Sequence, residues 1–134
     1  MKKISVACIS VALTVLTVFI GGMVVTEVGS VHDYFFPSFC VNIENPSDDE
    51  WQTINFENTN GLVFDSIFYK KEVVNDANSD GTINIRIRDK SEKIVLDETT
   101  MEPGTSLDLN MLKKNTEYVV EIKTKADFVF LNFY

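Results

Sequence analysis

The stretch of sequence that decides the fold is Ile83-Asn84-Ile85-Arg86-Ile87-Arg88, in which apolar and polar residues alternate strictly. Side chains on a β-strand point to opposite faces in turn, so this period of two predicts a strand with one buried face and one face in water. Residues 117–122 repeat the pattern, with Tyr118, Val120 and Ile122 on one face. Half-buried strands of this kind are typical of antiparallel sheets.

The period of two extends outward from residues 82–88 in both directions. Further strands are predicted at 39–43, 51–56, 62–69, 94–96, 107–111 and 128–134. Polar connections separate them, and Pro103-Gly104 is typical of a type II turn. The last strand, Phe128 to Tyr134, is apolar on both faces, which suits either a central strand or an edge that another chain covers. We therefore predict an all-β fold, an antiparallel β-sandwich or jelly roll of about seven or eight strands.

An uncharged run from Ile4 to Val25 follows Lys2-Lys3 at the start of the chain. At about 1.5 Å per residue a helix of this length crosses a hydrocarbon core of roughly 30 Å. The lysines precede the run and acidic residues follow it, so the positive-inside rule predicts a single-pass protein with its bulk outside the membrane. The alternative is a cleaved signal peptide and a secreted protein. The expected organisation is a signal-anchor or signal peptide at 1–25, a linker at 26–38 and an extracytoplasmic β-domain at 39–134.

Acidic residues dominate the chain after this apolar run. Ten basic and twenty acidic residues follow Val25, a formal charge of −10. A surface with this net charge makes nucleic acid and anionic lipid headgroups poor partners. The charge also favours solubility.

Four features in the second half of the chain occur in a characteristic order. They are Ile83-x-Ile85-x-Ile87-x-Asp89, Pro103-Gly104, Glu117-Tyr118-Val119-Val120-Glu121-Ile122 and Phe128-Val129-Phe130-Leu131. This order resembles the second half of small bacterial jelly-roll modules, including the pre-peptidase C-terminal type. The resemblance covers about 50 residues and implies a non-catalytic accessory module of an exported protein.

One segment contains the residues of a calcium loop. Asp76-Ala77-Asn78-Ser79-Asp80-Gly81 matches the opening of such a loop, in which alternate oxygen ligands converge on one cation. The position that requires a bidentate glutamate is Ile87, and a strand pattern follows, so an EF-hand is excluded. Asp89 could complete a non-helical calcium site with Asp76, Asn78 and Asp80. The alternative is an ordinary turn, which uses the same residue types.

The sequence offers little chemistry for an enzyme. His32 is the single histidine and lies in the predicted linker beside Asp33, and a serine or cysteine triad needs a histidine inside a cleft. We therefore predict no catalytic residues and no required cofactor, with a small hydrolase that uses paired carboxylates as a remote alternative.

Cys40 is the single cysteine outside the apolar run. We expect it to be buried, with an intermolecular disulfide or a reactive thiol as the alternative.

Binding is the function that remains, in two versions. In the first, the chain is a membrane-anchored or exported interaction subunit, and the strand Phe128 to Tyr134 pairs with a protein partner. In the second, Trp51, Tyr69 and Tyr134 are exposed aromatic platforms for a carbohydrate or cell wall. The alternative for these aromatics is that they pack in the core. The expected partners are the membrane, through the N-terminal helix, and an extracytoplasmic protein or glycan.

Overall fold

The computed structural model describes residues 32, 33, 35–46, 50–56 and 59–134. The apolar run Ile4–Val25, and the membrane helix predicted there, lie outside the described residues. In the part that is described, no helix has the length and apolar character needed to cross a membrane. The chain divides into two units, Met1–Pro37 and Ser38–Tyr134, and the described strands belong to the second.

The described residues of Ser38–Tyr134 form two antiparallel sheets and no helix, which confirms the all-β prediction for this unit. The first sheet has the strand order β1-β9-β4-β7. The second has the order β2-β8-β5-β6, and β3 also pairs with β8. The strands are β1 (Phe39–Glu44), β2 (Gln52–Thr53), β3 (Leu62–Val63), β4 (Glu72–Asn75), β5 (Ile83–Asp89), β6 (Ile94–Met101), β7 (Ser106–Asp108), β8 (Glu117–Thr124) and β9 (Phe128–Phe133).

The two sheets enclose one hydrophobic core. The alternation predicted for residues 83–88 is present, because Ile83, Ile85 and Ile87 are fully buried on β5. Val129, Leu131 and Phe133 of β9 are fully buried as well and belong to the same cluster. Each strand therefore contributes one apolar face to the core and leaves the other face to water.

Four predicted strands differ markedly in extent from those observed, among them 94–96, which continues to Met101 as β6. The segments 51–56 and 62–69 contain only the two-residue strands β2 and β3, and β4 was not predicted at all. Leu107 to Met111 ends as a strand at Asp108, because Asp108 accepts a hydrogen bond from the backbone of Asn110 and starts a turn. Met111 lies in that turn and is 49% exposed.

The type II turn predicted at Pro103-Gly104 is present. Gly104 has a φ of 80°, the left-handed value that this turn requires at its third position. The backbone N–H of Thr105 donates to the carbonyl of Glu102 at 3.1 Å and closes the turn. This turn connects β6 in the second sheet with β7 in the first.

Gly61 precedes β3 at a point where no side chain fits. A Cβ atom at Gly61 would lie 2.5 Å from the carbonyl oxygen of Tyr118 and 3.0 Å from Cγ of Glu117. We expect Gly61→Ala to lower the free energy of unfolding by about 1–3 kcal/mol, because β3 must move away from β8. Urea denaturation followed by far-UV circular dichroism measures the change.

Gly81→Ala is the matched control for this prediction. A Cβ atom at Gly81 would meet Cβ of Ala126 at 3.3 Å and Cα of Ala126 at 3.9 Å, with no backbone atom closer than that. We expect Gly81→Ala to lower the free energy of unfolding by less than Gly61→Ala does. Equal losses for the two variants would contradict the close approach of β3 to β8.

Candidate functional site

The unpaired edge of β1 is the first element of the candidate site. Tyr134 and Glu72 exchange both backbone hydrogen bonds, and the N–H of Asp76 donates to the carbonyl of Phe130. The even-numbered residues of β9 therefore direct their backbone groups toward β4, and the odd-numbered ones direct theirs toward β1. Because Phe133, Leu131 and Val129 are opposite Phe39, Val41 and Ile43, these β1 residues bond to β9.

The remaining residues of β1 direct their backbone groups away from the sheet. By the same alternation, the N–H and C=O of Cys40, Asn42 and Glu44 face outward. In the described part of the chain β9 is the one strand that pairs with β1. The strand contains no lysine, no proline and no bulge, the devices that commonly protect an edge from pairing with another chain.

A cavity of about 750 Å³ runs along this edge. Five consecutive residues, 38–42, line one side of it, and residues from 55 to 69 line the other. Consecutive side chains on a strand point to opposite faces. A cavity that touches all five therefore follows the edge of the strand and not one face of the sheet.

A cluster of aromatic rings forms the inner wall of the cavity. Phe39 stacks on Phe133 with ring centroids 5.1 Å apart and an angle of 11° between the planes. Phe56 and Tyr69 meet Phe39 edge to face at 5.5 and 6.0 Å. Offset stacked and edge-to-face pairs are the favoured geometries for aromatic rings. The wall is therefore apolar, and the rings that form it pack on one another.

Polar groups lie at the rim of the same cavity. Asp65 and the phenol of Tyr69 both line it. Burial, and then the negative charge of Asp65, raise the pKa of Tyr69 above its ordinary value. Tyr69 is thus a neutral phenol at physiological pH, and the rim carries the negative charge of Asp65.

Cys40 is exposed, so its predicted burial is wrong. On β1 the apolar residues Phe39, Val41 and Ile43 face the core, and Cys40 falls on the opposite face. Desolvation, and then the charge of Asp76, raise the pKa of the Cys40 thiol. A raised pKa leaves less thiolate at neutral pH and makes Cys40 a slow nucleophile.

A cluster of charges on the outer face of the second sheet was missed by sequence reasoning. Arg86 Nε and Arg88 Nη2 donate to the two carboxylate oxygens of Glu121, at 2.5 and 2.7 Å, and Glu121 is only 5% exposed. The guanidinium of Arg86 lies 4.1 Å above the Trp51 ring. The period of two in the sequence does place Arg86, Arg88 and Glu121 on the polar faces of their strands. The sequence of either strand alone does not show that β5 pairs with β8, which brings the three residues together.

The three aromatics predicted as sugar platforms do not share a surface. One face of Trp51 is covered by Arg86, on the outer side of the second sheet. Tyr69 packs against Phe39 and Phe64 beside the cavity. Tyr134 follows β9 in the first sheet and is 38% exposed. The structure brings no two of them together as a platform.

The predicted calcium ligands lie in two different turns. Asp76, Asn78 and Asp80 belong to the turn between β4 and β5, whereas Asp89 ends β5, about 20 Å further along the strand. Asp89 Oδ1 instead accepts hydrogen bonds from the hydroxyl of Ser91 and from the backbone N–H groups of Ser91 and Lys93 in its own turn. The bond from the Ser91 hydroxyl contributes most to lowering the pKa of Asp89. Asp89 therefore cannot join the other three around one cation.

The oxygens of Asp76 and Asp80 already accept hydrogen bonds. Asp76 Oδ1 accepts from the backbone and the side chain of Asn78, and these bonds lower the pKa of Asp76. Asp76 Oδ2 accepts from Asn132, and Asp80 Oδ2 accepts from the backbone of Asp127. These bonds fasten the turn to β9 and its preceding loop. No group of three or more metal-binding side chains was found among the described His, Cys, Asp and Glu residues.

The predicted pairing edge at Phe128 to Tyr134 is wrong, because β9 lies between β1 and β4. The alternative, a central strand, is confirmed.

His32 is exposed, and its described neighbours are local, with Asp33 at 3.5 Å and the Phe36 ring at 5.0 Å.

Comparison with known proteins found no matching family model, curated protein or solved structure.

Proposed function

We propose that this chain is a non-catalytic binding module that takes up an extended segment of a partner protein along the free edge of β1. The segment would add a strand to the first sheet, the mode of recognition in which main-chain hydrogen bonds supply affinity. The observation that carries the proposal is the row of outward-facing backbone groups at Cys40 and Asn42 beside a cavity of about 750 Å³.

The strand order supports a jelly-roll scaffold for this module. One sheet has the order β1-β9-β4-β7 and the other is built around β8-β5-β6. Apart from β5 and β6, the strands that pair are not consecutive in sequence, as in the Greek keys of a jelly roll. We further propose that residues 4–25 carry the module across a membrane, where they remain as an anchor or are removed as a signal peptide.

The lining of the cavity supports a proposal for the chemistry of the partner segment. Alternate side chains of an added strand would face the aromatic wall of Phe39, Phe56 and Tyr69, which favours apolar residues there. Asp65 lies at the rim, and residues 38–134 contain ten basic and eighteen acidic residues. The partner segment is therefore an alternation of apolar and basic residues.

A proline substitution tests the backbone of this edge. The N–H of Asn42 faces outward, so Asn42→Pro removes an edge donor and leaves the bonds to β9 in place. The probe is a fluorescent six-residue peptide of alternating lysine and valine, added to the full-length chain in non-ionic detergent. We expect Asn42→Pro to weaken binding about ten-fold, since one lost main-chain hydrogen bond is worth about 1 kcal/mol and the proline ring also blocks close approach.

Asn42→Ala is the matched control, because it removes the same side chain and keeps the N–H. We expect this variant to bind the peptide like the wild type, and fluorescence anisotropy measures both. Alkylation of Cys40, the neighbouring edge residue, should slow when the peptide is bound. If the wild type does not bind the peptide, or if Asn42→Pro and Asn42→Ala bind it equally, the proposal fails.

A further inference from the structure

Two apolar residues of β1 are only half-buried at the free edge of the first sheet. Val41 and Ile43 pack against the core but keep part of their surface in water. The residues opposite them on β9, Leu131 and Val129, are fully buried. In a single copy of the described chain, the apolar face of the first sheet is therefore incompletely covered along β1.

The backbone groups at this edge are arranged so that they can pair with a copy of themselves. Cys40, Asn42 and Glu44 each direct an N–H and a C=O outward, at every second position. When the same edge of two copies meets antiparallel about a two-fold axis, an outward residue of one copy lies opposite an outward residue of the other. Donors then face acceptors on both sides of the axis.

One register engages all three outward residues. With the two-fold axis at Asn42, the Asn42 residues of the two copies lie opposite each other, and Cys40 lies opposite Glu44 of the second copy. Each of these pairs exchanges two main-chain hydrogen bonds. Sliding one copy by two residues would instead place Glu44 opposite Ser38, or Cys40 opposite Pro46, and both of these residues lie outside β1.

The side chains match in the same register. Val41 lies opposite Ile43 of the second copy on the inner face, at the positions between hydrogen-bonded pairs where cross-strand side chains are closest. Such β-branched pairs stabilise a sheet and would cover the half-buried surface of both residues. The two Glu44 residues are offset by four positions, about 14 Å along the strands. This separation exceeds the screening length of about 8 Å in physiological salt, so the two carboxylates repel each other little.

From this self-complementarity we propose that two copies of the chain pair through β1, antiparallel about a two-fold axis at Asn42. The pairing joins two four-stranded sheets into one continuous sheet. The dimer uses the edge on which the proposed function rests, and it adds regulation to that function, because the second copy covers the edge until a partner segment displaces it. An edge strand without lysine, proline or a bulge is thereby protected from indiscriminate pairing.

Disulfide formation tests the register on the full-length chain in non-ionic detergent. With Cys8 and Cys40 replaced by serine, Asn42→Cys places two thiols opposite each other, with Cα atoms about 5.5 Å apart and within the range of a disulfide. The control is Cys8→Ser alone, which keeps Cys40 as the single cysteine. The two Cys40 residues of the dimer are about 14 Å apart along the strands and cannot be bridged.

Mild oxidation followed by a non-reducing gel gives the readout for this pair. We expect a covalent dimer for Asn42→Cys and no dimer above background for the control that keeps Cys40. Thermal unfolding verifies that each variant is folded. Crosslinking at position 40 that equals or exceeds crosslinking at position 42 overturns the proposal.

A charge exchange tests the same interface without a covalent bond. Cys40→Glu places a carboxylate opposite Glu44 of the second copy on both sides of the axis, and we expect it to raise the dissociation constant of the dimer about ten-fold. Adding Glu44→Lys turns both contacts into pairs of opposite charge and should restore the dimer. Sedimentation velocity in density-matched detergent measures both variants. The proposal is overturned if Glu44→Lys fails to restore the dimer.

Binding of the lysine-valine peptide separates this proposal from the proposed function. A wild type that binds the peptide but sediments as a monomer at every concentration overturns the dimer alone. A wild type that forms the dimer and does not bind the peptide overturns the proposed function alone. If both proposals hold, the peptide should lower the fraction of dimer as its concentration rises, because both occupy the same edge.

Discussion

Replacement of Asn75 by aspartate is expected to lower the free energy of unfolding by about 4 kcal/mol or more at neutral pH. Asn75 is fully buried at the end of β4. Its Nδ2 donates to the carbonyls of Gly81 and Met101, at 3.2 and 3.1 Å, and so links the first sheet to the turn before β5 and to the end of β6. Asn75→Asp replaces this shared donor by an ionised oxygen that faces two carbonyl oxygens.

No donor in the described part of the chain compensates the new carboxylate. The Oδ1 atom of Asn75 already lacks a hydrogen-bond partner there, so both oxygens of the aspartate would be unsatisfied. Burial raises the pKa of such a carboxyl. A folded pKa above the unfolded value means that the defect grows as pH rises through the acidic range and is smallest below the unfolded pKa near 3.9.

Asn78→Asp is the matched control for Asn75→Asp. It makes the same chemical change in the exposed turn that follows β4. We expect Asn78→Asp to cost less than about 1 kcal/mol, in line with exposed hydrogen bonds. Urea unfolding at neutral pH and again near pH 4 measures both variants. A loss for Asn75→Asp that is small, or independent of pH, would contradict the role of Asn75 as the donor that joins the sheets.

The buried faces of the strands could be predicted from sequence, because burial follows directly from the period of two. Ile83, Ile85 and Ile87 are buried as predicted. The same rule applied to Phe39, Val41 and Ile43 would have placed Cys40 outside. It was expected inside because free cysteine is buried on average. Local alternation was the better guide at this position.

The identity of the free edge could not be predicted. The sequence of β9 is apolar on both faces, and the sequence of β1 alternates like that of other half-buried strands. In the structure β9 is central and β1 lies at the edge. Edge position depends on which strands pair across 94 residues of chain, as Phe39 and Phe133 do. Neither strand carries that information within itself.

The end of the sheets at which each loop lies could not be predicted for a related reason. Connections between antiparallel strands lie at alternate ends of a sheet. The end at which a loop lies therefore follows from the number of strands that precede it, once every strand is known. β4 was missed because Glu72-Val73-Val74-Asn75 is short and lies between a lysine pair and a turn. One missed strand changes the parity of the count and places the following loops at the wrong ends.

We expect the second large loss of stability when the charge of Glu121 is removed. Glu121→Gln keeps the shape of the side chain and removes the charge that Arg86 and Arg88 share. Loss of one partner of a fully buried ion pair costs about 3–5 kcal/mol. The arginine side chains are 28% and 27% exposed and water can reach them, so we expect a smaller loss of about 2 kcal/mol at neutral pH.

The pH dependence distinguishes this charge network from a packing effect. Burial alone would raise the pKa of Glu121, but hydrogen bonds and charge from Arg86 and Arg88 outweigh it and hold the pKa below 4.5. A lowered folded pKa gives stability that is present above pH 4.5 and is lost as pH falls through the folded pKa. The difference in the free energy of unfolding between the wild type and Glu121→Gln should therefore become smaller as the pH falls.

Glu98→Gln is the control, because Glu98 is an exposed carboxylate on the same sheet that accepts one hydrogen bond, from Asn84. We expect its loss to stay below about 0.5 kcal/mol at every pH. Chemical unfolding of the three proteins between pH 3 and pH 7 gives the comparison. If the difference between the wild type and Glu121→Gln is constant across this range, packing and not charge holds Glu121, and the paired arginines stabilise the fold through their stems alone.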